Sequence, residues 1–438
     1  MVDIYKYSNK AIQGFDDLDR IAKLAKDKKD DGLVIVTADL DNTTDKLADA
    51  VYFGNHRNPE EIFEAYYEFV EKIGNRNLTK IFEDARGWLN AGKLMRHGER
   101  SHNTDEIQLS LGDRLTAYIV HTYLGECGIE SSHIDALNGK RFPLQLRKRR
   151  KPTETEIDME NSKRTVESLD FKNGVLVLPG YVAVNQDNFI RTLGRGGGDI
   201  ASIAYADLFG ADSVNIVDED ALTISPLSES IVDEINLDEA WGAGFFGARL
   251  KTHKSIKYLK SFFDHYPESK AFITGKDIGL RKTRINPYAE EQSVRFIAAR
   301  DIDRYGIMGN YIGLMNQLRK ALTVDWFPYG EIEDEGVGIG VFERGREVAQ
   351  SIIKKMFQEG EIEIVHFDRA VYLGIVGSGM SRGKGIAGRA YNALRGINLE
   401  VSNDPRGYEP KSKYIAVMIK PEDEMRALKA LEKEFFGN

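Results

Sequence analysis

The run Phe189-Ile190-Arg191-Thr192-Leu193-Gly194-Arg195-Gly196-Gly197-Gly198-Asp199, followed by the helix-patterned segment 200–210, limits this chain more than any other stretch. It reads as strand, glycine turn and helix. Adjacent glycines let backbone N–H groups close around a ligand with no Cβ in the way, and the following helix directs its positive end to the same point. Arg195 adds a planar guanidinium suited to a carboxylate or phosphate. Asp199, at the helix start, can hold an ammonium, a lysine or the loop itself. No Gly-Lys-Ser/Thr follows, so this is not a P-loop, and Asp199 stands where the dinucleotide fingerprint has its last glycine. From these residues alone an anion cradle and an ordinary tight turn are both open.

The flanking sequence supplies the sheet that such a turn needs. Residues 2–7 alternate as a short strand, residues 15–26 repeat apolar side chains at helical spacing, and Leu33-Val34-Ile35-Val36 is a buried-strand run. Strand, helix, strand predicts a parallel sheet covered by helices. Further buried strands are expected at 175–181 and 213–217. Polar residues past the carboxyl ends of such strands are where ligands bind. Thr37 to Asp45 and Asp218-Glu219-Asp220 occupy those places. Thr43, Thr44 and Asp45 can equally cap a helix at 46–52, and the 218–220 acids can serve magnesium, a nucleotide or a polar turn. Residues 59–94 are helical in period and read as scaffold. Residues 110–123 predict a helix with Asp113 and Arg114 near its positive end, where an acidic first turn is also an ordinary feature.

A formal charge of −9 argues against a general nucleic-acid binder. The basic run 147–151 has no interleaved aromatic residues and reads as a solvated loop. A single cysteine, Cys127, excludes an intramolecular disulfide and fits a reducing compartment. With no bilayer-length apolar run and no signal-peptide core, a cytoplasmic location is expected, without a membrane partner. Zinc-protease histidine spacing is missing from the sequence.

Near Ile285-Asn286-Pro287 the pattern changes to two successive units, 294–366 and 372–436. The second has β-α-β-β-α order, as in small ferredoxin-like domains.

From about Ile4 onward, the order of segments resembles the aspartate kinases of the amino-acid kinase family. Thr192-Leu193-Gly194-Arg195-Gly196-Gly197-Gly198-Asp199 is similar to the family's Thr-Leu-Gly-Arg-Gly-Gly-Ser-Asp, with only the serine replaced. Gly112-Asp113-Arg114-Leu115-Thr116 resembles Gly-Glu-Arg-Leu-Ser, and Asp238-Glu239-Ala240 with Gly247-Ala248-Arg249 resembles the Glu-Ala … Gly-Ala-Lys stretch. The tail resembles tandem ACT domains. The resemblance implies a three-layer αβα sandwich with a mainly parallel sheet over 1–285, then ferredoxin-like ACT domains at 286–366 and 367–438. It implies phosphoryl transfer from ATP, with Mg2+, to the side-chain carboxylate of aspartate.

Carried over residue by residue, the resemblance implies Lys6 and Asp199 as catalytic residues and Thr37, Asp113, Thr192 and Arg195 as substrate-binding residues. Gly196, Gly197, Asp218, Asp220 and Arg249 would bind the nucleotide. Gly379, Met380, Gly385 and Ile386 would present backbone donors to an amino-acid effector, although glycines also serve bare turns. A homodimer or higher homo-oligomer is expected. The nucleotide half departs from the pattern: Lys6-Tyr7-Ser8-Asn9-Lys10 stands for Lys-Phe-Gly-Gly-Thr, Ala221 and Leu227 replace a glycine and an arginine, and Arg249 replaces a lysine. Side chains at Ser8 and Asn9 are expected to obstruct backbone approach to phosphates. The alternative reading is therefore a catalytically impaired homologue, acting as an amino-acid sensor or regulatory subunit.

Overall fold

The computed structural model describes residues 1–53, 58–94, 102–147, 156–194, 196–250, 253–278, 280–322, 326–332, 336–342, 345–380, 383, 385–400 and 413–437. The chain divides into two compact units, one made of residues 1–220 with 257–282 and the other of 221–256 with 283–438.

The first unit opens as β1 (Val2–Tyr7), α1 (Phe15–Asp27), β2 (Gly32–Thr37) and α2 (Thr43–Phe53). The scaffold stretch then forms α3 (Pro59–Ile62), α4 (Glu64–Ile73) and α5 (Arg76–Leu94), with α4 stopped by Gly74 in the left-handed region. Next come α6 (His102–Leu109), α7 (Leu111–Glu126), β3 (Ser132–His133), α8 (Met159–Ser168), β4 (Gly174–Pro179), β5 (Val182–Val184) and β6 (Ile190–Thr192). Then follow α9 (Gly197–Phe209) and β7 (Ser213–Val217). After β8 (Glu234–Ile235) and α10 (Leu237–Phe246), both in the second unit, α11 (Ile256–His265) and β9 (Lys270–Thr274) return the chain to the first, where α11 starts one residue before the unit boundary.

Within this unit the strands lie in the order β3-β4-β2-β1-β7-β9, and every neighbouring pair is parallel. Both faces are buried, as alternation along the strands requires. Tyr5, Tyr7, Leu33, Ile35, Val175 and Val177 join the core formed with α1, α2, α4, α5 and α7. Ile4, Val34, Val36, Leu176 and Leu178 are buried as well, and α9 packs against β1, β2 and β7. The result is a three-layer αβα sandwich. Because the registers pair Tyr7 with Thr37 and Val217, and Val217 with Thr274, the carboxyl ends of these strands open on one edge.

α2 starts at Thr43, earlier than the expected 46–52, because the Asp39 carboxylate caps it from outside by accepting the Thr44 N–H at 2.7 Å.

The second unit adds β10 (Lys282–Ile285), parallel to β8. Its tail runs β11 (Phe296–Gly309), α12 (Tyr311–Leu322), β12 (Trp326–Ile332), β13 (Gly336–Phe342), α13 (Arg346–Gln358) and β14 (Ile362–Val376). It then continues as α14 (Ile386–Ala393), β15 (Leu399–Glu400), β16 (Tyr414–Ile419) and α15 (Glu424–Phe435). These strands make one antiparallel sheet, β12-β13-β11-β14-β16-β15, the architecture of paired ACT repeats. β11 and β14 pair along nearly their whole lengths, so the two repeats share a continuous sheet through the middle of β14. Gly374 has no room for a side chain because the Phe246 ring lies 2.5 Å from where its Cβ would be. Among the described residues, no helix is long and apolar enough to cross a membrane.

Candidate active site

The parallel edge of the first unit brings two distant charges together. Lys6, at the end of β1, sets its Nζ 2.8 Å from Asp199 Oδ1 in the first turn of α9. Lys6 is 2% exposed and Asp199 is fully buried. Placing an acid at the positive end of a helix is favourable, but burying an ion pair rarely adds net stability. The glycine run makes the approach possible. A Cβ on Gly198 would stand 3.1 Å from Lys6 Cε, and one on Gly197 would stand 2.8 Å from Leu193 Cβ. Gly196, the cap of α9, has a φ of +70°, which glycine adopts freely. Arg195 lies outside the described residues.

Beside this pair is a second cluster. The Thr37 hydroxyl donates to the Asp113 backbone carbonyl at 3.2 Å, and both residues are buried. The Thr44 hydroxyl reaches Asp113 Oδ2 at 3.4 Å, while the Thr44 N–H is the one held by Asp39. The Tyr66 phenol accepts the Leu40 N–H at 3.0 Å and donates to the Gly112 carbonyl at 3.1 Å, pinning the loop after β2 to the start of α7. Burial pushes the Asp113 carboxyl well up, Asp39 adds to the rise, and Lys6 opposes it. Asp39 is pushed up to about 6 by burial first, against the Thr44 N–H bond and helped by Asp45.

A raised folded-state pKa means that Asp39 supplies stability at low pH and loses it as pH rises through about 6. Asp39→Asn, neutral throughout, is therefore expected to be more stable than wild type at pH 7–8. The gain is roughly 1–3 kcal/mol and disappears near pH 4. Urea melts of both proteins across that range check this.

The Thr192 N–H donates to Glu106 Oε2 at 2.6 Å. Asp39 and Thr44 belong to the polar stretch after β2, where the sequence leaves a ligand-binding end and a helix cap both open; Glu106 has no such signal in the sequence. Asp39 sits in a stretch with Asp41 and Asp45, and only burial separates it from them.

The Ser8 hydroxyl donates to Asp218 Oδ1 at 2.9 Å, with both residues buried, and the Asn9 amide donates to Asn42. Asp220 pairs with Arg281, 3.0 Å from its Nε, and Glu219 with Lys10. Among the described residues, no group of three or more acidic, histidine or cysteine side chains could hold a metal ion. Arg249 belongs to the second unit, where its φ is +67°. In the tail, the Gly379 N–H donates to the Gln292 carbonyl and the Met380 N–H to the Gly377 carbonyl, so these two donors are already used within the fold. Gly385 caps α14 with a φ of +78°, and Ile386 and Met380 are buried in the core beside it.

A family model described as the amino acid kinase family matches residues 3–262. The chain is 23% identical to the aspartokinase of Corynebacterium efficiens over 293 residues, covering 62% of this chain and 68% of that one. It is 20% identical to the bifunctional aspartokinase/homoserine dehydrogenase of Haemophilus influenzae over 412 residues, which is 86% of this chain but about half (49%) of that protein. Its fold is similar to E. coli aspartokinase III solved with aspartate and ADP in the R-state, with a TM-score of 0.71, 15% identity and all of both chains covered. The same enzyme with lysine and aspartate in the T-state gives a TM-score of 0.67 at 15% identity, with 99% of each chain covered. The family match spans β1 with its lysine, the Asp113 turn, the glycine loop and α9, and this chain belongs to the amino acid kinase family.

Proposed function

We propose that the chain transfers the terminal phosphoryl group of ATP to the side-chain carboxylate of aspartate, as the names of its relatives suggest. The observation that carries this reading is the buried Lys6–Asp199 pair at the carboxyl edge of a parallel sheet, beside the Asp113 cluster. A carboxylate oxygen of aspartate forms a bond to the γ-phosphorus, the bond from phosphorus to the β,γ-bridging oxygen breaks, and ADP leaves. The Lys6 ammonium offsets the charge on the transferring group, and Asp199 fixes the lysine. Arg195 clamps the α-carboxylate, Asp113 receives the ammonium, and Thr37 and Thr192 shape the acceptor pocket.

Gly196 and Gly197 would admit the phosphates, with Asp218 and Asp220 toward the nucleotide; for Arg249, in the second unit, the nucleotide role rests on the resemblance alone. Magnesium would arrive with the nucleotide and supply positive charge against its phosphates. Residues 1–285 form the kinase part in this reading, with ACT repeats at 286–366 and 367–438. An amino-acid effector would bind near Gly379, Met380, Gly385 and Ile386, in a homodimer or larger assembly in the cytoplasm. For that site Gly385 and Ile386 are the better candidates as donors, since the other two N–H groups are engaged.

Ser8 and Asn9, standing where the family pattern has glycines, favour the sensor reading as the alternative. Trapping of the acyl phosphate with hydroxylamine separates the two. ATP-dependent hydroxamate that requires aspartate is the expected result; aspartate binding with no hydroxamate under any nucleotide and divalent metal would overturn the kinase reading.

A further inference from the structure

Asp39 has no part in the mechanism above, yet it is 8% exposed and built tightly into the acceptor pocket. Its Cβ stands 2.8 Å from the point where a Gly112 side chain would begin, so the loop after β2 and the first turn of α7 touch directly. Thr44 joins the two acids, giving its N–H to Asp39 Oδ2 and its hydroxyl to Asp113 Oδ2. Tyr66 holds both backbones in place. The titratable and charged groups that face Asp39 are Asp45 from α2, Tyr66 from α4, Asp113 from α7 and, across Asp113, Lys6 from β1. Lys6 is already paired with Asp199. Asp39 and Asp113 are thus two buried carboxylates joined through Thr44, and among the described residues neither has a salt bridge, so ionising both would place two like charges in a poorly solvated spot. A proton or a ligand cation must supply the balance.

We infer that Asp39 determines acceptor specificity: with Asp113 it forms a two-carboxylate socket for the ammonium group of the acceptor, and the arriving ammonium displaces a proton that the two acids otherwise share. This rests on the acceptor reading of the same site and extends it to a residue outside the motifs. Burial raises both carboxyls, Asp39 to about 6, which puts its exchange near that pH. Binding of an amino-acid acceptor then releases up to one proton, and affinity falls as pH drops through about 6. A dicarboxylate without the ammonium, such as succinate, gains nothing from the socket and meets its repulsion.

The test is calorimetry of the full chain with aspartate and with succinate, at pH 5.5 and 8, each in two buffers of different ionisation enthalpy. Wild type is expected to release a proton on binding aspartate and to bind succinate far more weakly. Asp39→Asn keeps an oxygen acceptor for the Thr44 N–H. It is expected to bind aspartate about 10- to 100-fold more weakly, to release little proton, and to discriminate less against succinate. Thr44→Val, which removes the hydroxyl but keeps the Thr44 N–H on Asp39, keeps the folded socket and is expected to show a smaller loss. Aspartate binding with no proton release, and with equal affinity in Asp39→Asn, overturns the socket. If wild type binds neither aspartate nor any other ammonium-bearing carboxylate, the acceptor reading falls and the socket with it.

Discussion

Replacing Lys6 with Met is expected to lower kcat for phosphoryl transfer by about 10²–10³, with aspartate affinity changed far less. In the proposed mechanism the Lys6 ammonium, close to Gly198, acts when charge develops on the transferring group. The same substitution takes the lysine from Asp199, which is fully buried at the start of α9. Breaking a buried pair costs about 3–5 kcal/mol, so a stability control is needed. Lys6→Met with Asp199→Leu removes both charges. It is expected to recover much of the stability while turnover stays lost. Denaturant melts and steady-state kinetics on the single and double variants separate the two effects; equal turnover in Lys6→Met and wild type would remove the lysine from the mechanism.

The second large effect lies in the other unit. Glu239 is fully buried, with Oε2 accepting the Asn236 N–H at 3.2 Å and the Arg295 Nε–H at 3.0 Å. Its Oε1 accepts the Ser378 N–H at 3.2 Å and the Ser378 hydroxyl at 2.9 Å. The carboxylate therefore closes the capping box of α10 and also fastens the chain as it leaves β14. Glu239→Ala takes the carboxylate from Arg295, leaving it the Glu290 carbonyl, and opens the cap, at an expected cost of about 3–5 kcal/mol. Glu239→Gln, which keeps the N-cap partner, is expected to lose less. Hydrogen exchange should show protection falling first around 371–380. Unchanged protection there would mean that Arg295 and Ser378 find other partners.

Local pattern carried much of the architecture. The strands at 2–7, 33–36 and 213–217 and the helix from Phe15 follow from periodicity, because their burial is set by side-chain alternation within a few residues. Lys6 and Asp199 could be placed on one edge because parallel strands share their carboxyl ends. Other features depend on contacts remote in sequence. Ser8 reads as an obstruction until its hydroxyl is seen on Asp218, 210 residues away. Asp39 looks like any acid in a polar turn until Gly112, which lacks a side chain, lets α7 close over it. Segment 221–256 precedes the change of pattern at Pro287, yet it joins the tail's unit, as the stacking of Trp241 on Tyr414 and the Glu239–Ser378 bonds illustrate. No periodicity records such pairings.

The most direct test of the account follows the labelled γ-phosphate of ATP in the presence and absence of aspartate, with wild type and Lys6→Met compared at equal aspartate occupancy. The account predicts aspartate-dependent label in an acyl phosphate, one ADP formed for each, and loss of both in Lys6→Met. Aspartate binding in wild type with no transfer of label, under every divalent metal tried, would contradict it.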